Sequence, residues 1–133
     1  MRVNFLPLPG MGATVSRPVV DVRMEGIPEI GISCLVDTGA LHNRFDARLA
    51  ELAGLDLDKM EGVERFSIGG ETFEGKVSQL ELSIGTFTWL APICFVKDWT
   101  WDFQILGQKG FLRWFAVCFH VADDFLLLDM VDH

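Results

Sequence analysis

The 133-residue chain has no tyrosine and only three cysteines and three histidines. Cys34, Cys94 and Cys118 are odd in number, widely spaced and form no C-x-x-C, which argues against a disulfide framework or a thiol redox centre. Each is flanked by apolar residues and reads as a small buried hydrophobe on a strand. His42, His120 and His133 offer no ligand spacing, so no metal and no cofactor is expected. Basic residues are also scarce. There are 11 Lys and Arg against 19 Asp and Glu, a net charge of −8, with no basic run. That balance argues against nucleic acid and against anionic membrane surfaces as partners. Long hydrophobic runs are missing too. The longest uncharged stretch, Leu82 to Val96, contains Pro92 and falls short of the ~20 residues that a membrane helix needs. The opening Met1 to Gly10 is too short and too broken by Pro7 and Pro9 to read as a signal peptide. A soluble, cytoplasmic protein is expected.

What is present is apolar content, 50% of the chain. At this length it suits one domain with a core of its own, taken as residues 1–133, with residues 1–17 as an N-terminal extension or interface strand. Val20, Val22 and Met24 alternate with Asp21, Arg23 and Glu25, the period-two pattern of a half-buried strand. A glycine-bounded turn from Gly26 to Gly31 leads to an apolar strand, Ile32 to Val36, completing a hairpin. Leu41, Phe45, Leu49 and Leu52 recur at helical spacing among Ala47, Ala50 and Ala53, with Gly54 as a stop. They predict the one substantial helix. Strands resume at Glu64 to Ile68 and Thr72 to Val77, a hairpin tipped by Gly69 and Gly70. Leu80 to Ile84, Thr86 to Val96 and Ile105 to Leu106 follow. Lys97 to Phe103 reads as an aromatic loop with Trp99 and Trp101, Phe111 to Phe115 as a short helix, and Val117 to Val121 with Phe125 to Leu128 as a closing hairpin. The class is mainly β.

Few residues carry chemistry. Asp37-Thr38-Gly39 interrupts the end of a buried strand, where a carboxylate is costly to keep charged without a partner. Taken locally, Asp37 reads equally as a reactive carboxylate or as the cap of the helix after it. A second segment, Ile105-Leu106-Gly107 followed by Phe111-Leu112, repeats the same grammar of apolar strand, glycine and short helix.

With Leu35-Val36-Asp37-Thr38-Gly39-Ala40, Ile68-Gly69-Gly70 and Ile105-Leu106-Gly107-Gln108-Lys109-Gly110-Phe111-Leu112 in this order, the chain resembles the retropepsin-like aspartic proteases. It looks closest to their small cellular and bacterial branch, which includes Ddi1-type protease domains. The resemblance runs from about Pro18 to Leu128. It implies a closed β-barrel with one substantial and one short helix, working as a homodimer on a peptide or protein substrate. It also implies an endopeptidase in which two Asp37 carboxylates, one from each subunit, share a proton around a water. With a single Asp-Thr-Gly in the chain, the second Asp37 comes from a copy across a two-fold axis.

In this resemblance Asp37 is catalytic and Thr38 holds the two active-site loops together across the axis. Gly39 leaves room for substrate backbone, Ala40 lines the cleft, and Gly107 lets the second loop pass behind the first. Ile68, Gly69 and Gly70 form a flap over the substrate. Two departures stand out. Retroviral members follow Asp-Thr-Gly-Ala with two acidic residues and place an arginine after the second glycine, where this chain has Leu41, His42 and Gln108. The missing tyrosine excludes the flap tyrosine of pepsin-like enzymes. His42 is expected to face solvent from the helix. Phe125 to Leu128 is expected to be an apolar edge covered in a dimer, so that removing Phe125 to His133 yields monomer or insoluble protein. Two other readings remain at this point: a dimer of the same fold that binds peptide or protein partners with little turnover, and an unrelated barrel in which Asp37 only caps a helix.

Overall fold

In a computed structural model, residues 1–11 and 15–132 are described; Gly12, Ala13 and Thr14 of the N-terminal extension, and His133, lie outside the described residues. The strands are β1 (Arg2–Asn4), β2 (Leu6–Pro7), β3 (Ser16–Arg17), β4 (Val19–Met24), β5 (Ile32–Val36), β6 (Asn43–Asp46), β7 (Gly62–Ile68), β8 (Glu71–Ile84), β9 (Phe87–Val96), β10 (Gln104–Leu106), β11 (Phe115–His120) and β12 (Phe125–Met130). One α-helix, α1 (Ala47–Leu52), and a π-helical turn at Gln108–Leu112 complete the parts that matter for the site.

Six strands close on themselves. The order β4-β5-β10-β6-β9-β8 returns to its start through β4–β8 pairing, which matches Arg23 with Ser83 and Met24 with Leu82. Closure leaves no free edge around this ring. β7 pairs only along the outer half of β8, so β7 and β8 stand out from the barrel as a hairpin with Gly69 and Gly70 at its tip. Both glycines take positive φ, 58° and 85°, the geometry of a two-residue hairpin turn matched to strand twist.

The alternation read in β4 sorts side chains as expected. Val20, Val22 and Met24 enter the main core while Asp21 and Arg23 face out. Val19, on the other face, is also buried, because a second apolar cluster lies there with Ala40, Cys94, Val96, Trp99, Phe103 and Ile105. Cys34 and Cys94 are buried, but Cys118 is exposed, on an outward position of β11.

The substantial helix predicted from Leu41 onward is corrected. Only Ala47–Leu52 is helical, and Asn43–Asp46 is strand β6. Leu41 and Leu52 are 46% and 63% exposed, so the four apolar positions never formed one buried face. β6 instead lies between β10 and β9 and buries Asn43, Phe45 and Asp46. The helix starts where Asp46 accepts the Arg48 N–H at 3.0 Å, an N-cap five residues beyond the start of the predicted span at Leu41.

The terminal strand is also corrected. β12 is the centre of a sheet ordered β1-β12-β11, with Leu127 facing Arg2 on one side and Cys118 on the other. The run Phe125 to Leu128 is therefore no unpaired edge, and Leu126 and Leu128 are fully buried. Each leucine alone is worth about 2–5 kcal/mol against alanine. Removing residues 125–133 is expected to unfold the chain, read by loss of near-ultraviolet circular dichroism. A truncated chain that stays folded would show that the barrel holds without this sheet. Among the described residues no helix is long and apolar enough to cross a membrane.

Candidate active site

Asp37 follows β5 directly, and its backbone N–H donates to the Leu106 carbonyl at the end of parallel strand β10 (2.9 Å). Its Oδ1 accepts the Gly39 N–H at 2.9 Å, a turn that aspartate side chains favour. No helix follows, since α1 is capped by Asp46. The reading in which Asp37 serves only as a helix cap is therefore overturned. Thr38 and Gly39 are exposed, Asp37 is half-buried, and Ala40 is buried in the second apolar cluster.

The loop is locked to the segment after β10. Gln108 N–H donates to the Ala40 carbonyl and Lys109 N–H to that of Leu41, both at 2.9 Å. The Gln108 side-chain amide donates to the Thr38 carbonyl at 2.8 Å. In place of the retroviral arginine ion pair, which this chain lacks, the neutral Gln108 amide ties the two loops. Asn43, fully buried, completes the lock. It accepts the Gly107 N–H at 2.9 Å and donates to the Gly110 carbonyl at 3.0 Å. Asn43 was not singled out from the sequence. Its signal, a polar residue on an inward position, becomes visible only once β6 is read as a strand.

Beside Asp37 opens a pocket of about 210 Å³ walled by Leu35, Ile68, Trp101, Phe103 and Ile105, with Trp99 behind them. Such a volume is below the range of drug-sized ligand sites and suits one side chain of a larger substrate. Ile68, at the end of β7, brings the glycine-tipped hairpin to this pocket, and a side chain added at Gly69 or Gly70 would meet open space. The hairpin is held by aromatic contacts. Phe66 stacks on Phe73 at 5.5 Å, Phe73 meets Trp101 at 6.0 Å, and Trp101 packs edge-on against Trp99 at 4.9 Å. The Trp99 indole N–H is satisfied by the Phe103 carbonyl at 3.0 Å.

One wall of the pocket is charged. Arg44 also lines it. Arg44 Nη2 lies 3.2 Å from Glu64 Oε1 on β7, and His42 Nδ1 lies 3.0 Å from the same oxygen. All three side chains are between 12% and 17% exposed, so His42 is not the solvent-facing helix residue expected. Burial pushes the Glu64 carboxyl up, but the Cys94 thiol, Arg44 and His42 beside it outweigh burial and hold it below the ordinary carboxylate range. A lowered folded-state pKa stabilises the fold above the unfolded value, and that contribution is lost as pH falls through the folded one. The melting-temperature gap between the wild type and Glu64→Gln is therefore expected to be widest near neutral pH and to close below pH ~4. Differential scanning calorimetry across pH checks this, and a gap that widens in acid contradicts it.

Among the described residues no group of three or more His, Cys, Asp and Glu is placed to hold a metal ion. The chemistry on offer is that of one carboxylate in a loop between two strand ends, beside a largely apolar pocket that Ile68 of the β7–β8 hairpin also lines.

No protein-family model matches the chain, and no curated protein does. Solved structures do. A retropepsin-like aspartic protease from Rickettsia conorii superposes with a TM-score of 0.65 at 16% identity, covering 95% of this chain and 97% of that one. The retroviral protease-like domain of Ddi1 from Leishmania major gives 0.62 at 17% identity, covering 89% and 92%. The chain has the retropepsin-like fold, and the resemblance read from its motifs holds at the level of the backbone.

Proposed function

We propose that the chain is an aspartic endopeptidase that works as a homodimer, with Asp37 from each subunit forming the catalytic pair. The observation that carries this reading is the position of Asp37 on a retropepsin-like fold. It is locked between β5 and β10, caps no helix, and lines a side-chain-sized pocket under the Ile68 end of a hairpin. One carboxylate per chain is half of the machinery, and a two-fold axis supplies the other half from the same residue. The exposed shoulder formed by Thr38 and Gly39 is the surface such a partner would meet.

In the pair, one carboxylate takes a proton from water as the water oxygen attacks the peptide carbonyl carbon. The other, protonated, gives its proton to the carbonyl oxygen. Proton transfer to the amide nitrogen then lets the C–N bond break and leaves a carboxylic acid and an amine. Gly69 and Gly70 let the hairpin tip move over the bound peptide and exclude water, which strengthens each hydrogen bond in the site.

Light scattering combined with cleavage of reduced, denatured casein tests this. The active species is expected at twice the chain mass, with the rate per chain falling on dilution as dimers dissociate. A monomer whose rate per chain is independent of concentration overturns the mechanism. A dimer that binds casein peptides and never cleaves them would support the binding reading instead.

A further inference from the structure

Strand β7 pairs with β8 alone, and most of its side-chain contacts stay within the hairpin. The Arg65–Glu74 ion pair and the Phe66–Phe73 stack both join β7 to β8. Glu64 breaks that pattern. It reaches from β7 to Arg44 on β6 at 3.2 Å and to His42, just before β6, at 3.0 Å. Phe66, two residues on, lies under the Arg44 guanidinium, 3.9 Å from its carbon to the ring centre. In the sheet β9 separates β6 from β8, so these contacts fold the hairpin back across the face of the barrel. The fixed half of the cluster belongs to the segment that carries Asp37, and Arg44 and Ile68 line the same pocket as Asp37.

The cluster is incompletely satisfied. His42 Nδ1, Arg44 Nε and Glu64 Oε2 are buried without a hydrogen-bond partner. Water supplies partners to all three once the hairpin lifts, which offsets the ion pairs that lifting breaks. A tie of this kind holds at rest and breaks at modest cost. We propose that Glu64, Arg44 and His42 form a clasp that holds the β7–β8 hairpin down beside Asp37, and that rupture of the clasp sets how often the pocket opens to a peptide. Admission of a peptide rests on the protease reading, whereas the motion stands without it.

A native thiol reports the motion. Cys94 on β9 is fully buried in the second apolar cluster, against which Phe66 and Phe73 of the hairpin pack. Gly75, the first residue of β8 paired to β9, lies so close that a Cβ there would overlap the Cys94 sulfur. Burial and the Glu64 carboxylate push the Cys94 thiol up, so it is unreactive while the hairpin is down. The test treats the folded protein with iodoacetamide and follows each cysteine by mass spectrometry. Exposed Cys118 is expected to react first. Cys94 is expected to react well ahead of Cys34, which lies in the main core and reports global unfolding. Glu64→Gln is expected to speed Cys94 about tenfold relative to Cys34. The double variant Arg44→Met with Glu64→Gln leaves no unpaired ion buried and is expected to do the same. A wild-type Cys94 no faster than Cys34 overturns the clasp. So do variants whose Cys94 matches the wild type, or speeds up only in step with Cys34. Casein cleavage is read in parallel. Faster Cys94 labelling in the variants, beside a wild type that cuts nothing, keeps the clasp and sinks the protease reading. Unchanged labelling beside an active wild type does the reverse.

Discussion

Replacing Asp37 with asparagine is expected to slow peptide cleavage by about 10⁴-fold or more while leaving the dimer and its melting temperature in place. The structural side of this expectation is local. The single hydrogen bond described for the Asp37 side chain is accepted at Oδ1 from the Gly39 N–H, and the amide oxygen of asparagine accepts the same bond. The chemical side is the proton. An amide can neither take one from water nor give one to the carbonyl oxygen, and in the proposed homodimer the substitution would remove both partners of the pair at once. Mixing separates the pair from a single carboxylate acting alone. When equal amounts of wild type and Asp37→Asn are co-refolded, roughly one dimer in four carries two aspartates. Activity is then expected to fall with the square of the wild-type fraction. A linear fall, measured by the rate of casein cleavage across mixing ratios, would mean that each chain works unaided.

The parts that were legible beforehand are those with local signatures. Strict alternation marked β4, paired glycines marked the β7–β8 turn, and the aspartate at the end of an apolar strand marked the loop between β5 and β6 that is proposed as the site. The β6 region was misread because a strand with buried Phe45 followed directly by a capped helix places leucines at helical intervals by accident. The Asp46 cap with Arg48 was the available correction, and it competes with the apolar spacing over only four residues. Asn43, Arg44 and Glu64 were missed for a different reason. Asn43 meets Gly110 across 67 positions, and Arg44 meets Glu64 across 20. Nothing in the neighbouring residues records such partners. Polar contacts of this kind become visible only when the barrel's register places the strands. The comparisons with solved structures act on the backbone alone: at 16–17% identity they show the fold and carry nothing about the charged wall of the pocket.

Gly107→Ala is expected to be strongly damaging for so small a change, destabilising the chain by about 3 kcal/mol or more and reducing cleavage beyond what the remaining folded fraction explains. The backbone at Gly107 has φ of −117°, which any residue adopts, so the demand is for space. A Cβ there would lie 2.5 Å from the His42 carbonyl oxygen and 2.7 Å from that of Ala40. Neither oxygen can withdraw at low cost. The Ala40 carbonyl accepts the Gln108 N–H, the Gly107 N–H is bonded to buried Asn43, and the His42 carbonyl leads straight into β6. Relief requires the two loops to part, and the bond from Asp37 N–H to the Leu106 carbonyl lies one residue from the point of strain. Gly70 makes the opposite demand, with open space around it and φ of 85°. Asparagine tolerates positive φ, so Gly70→Asn is expected to cost under about 1 kcal/mol while Gly107→Asn leaves no folded protein. Urea denaturation of the variants checks the contrast. A Gly107→Ala midpoint equal to that of the wild type would mean that the loops behind Asp37 are free to separate, and the locked geometry from which the proposed catalytic pair is argued would not hold.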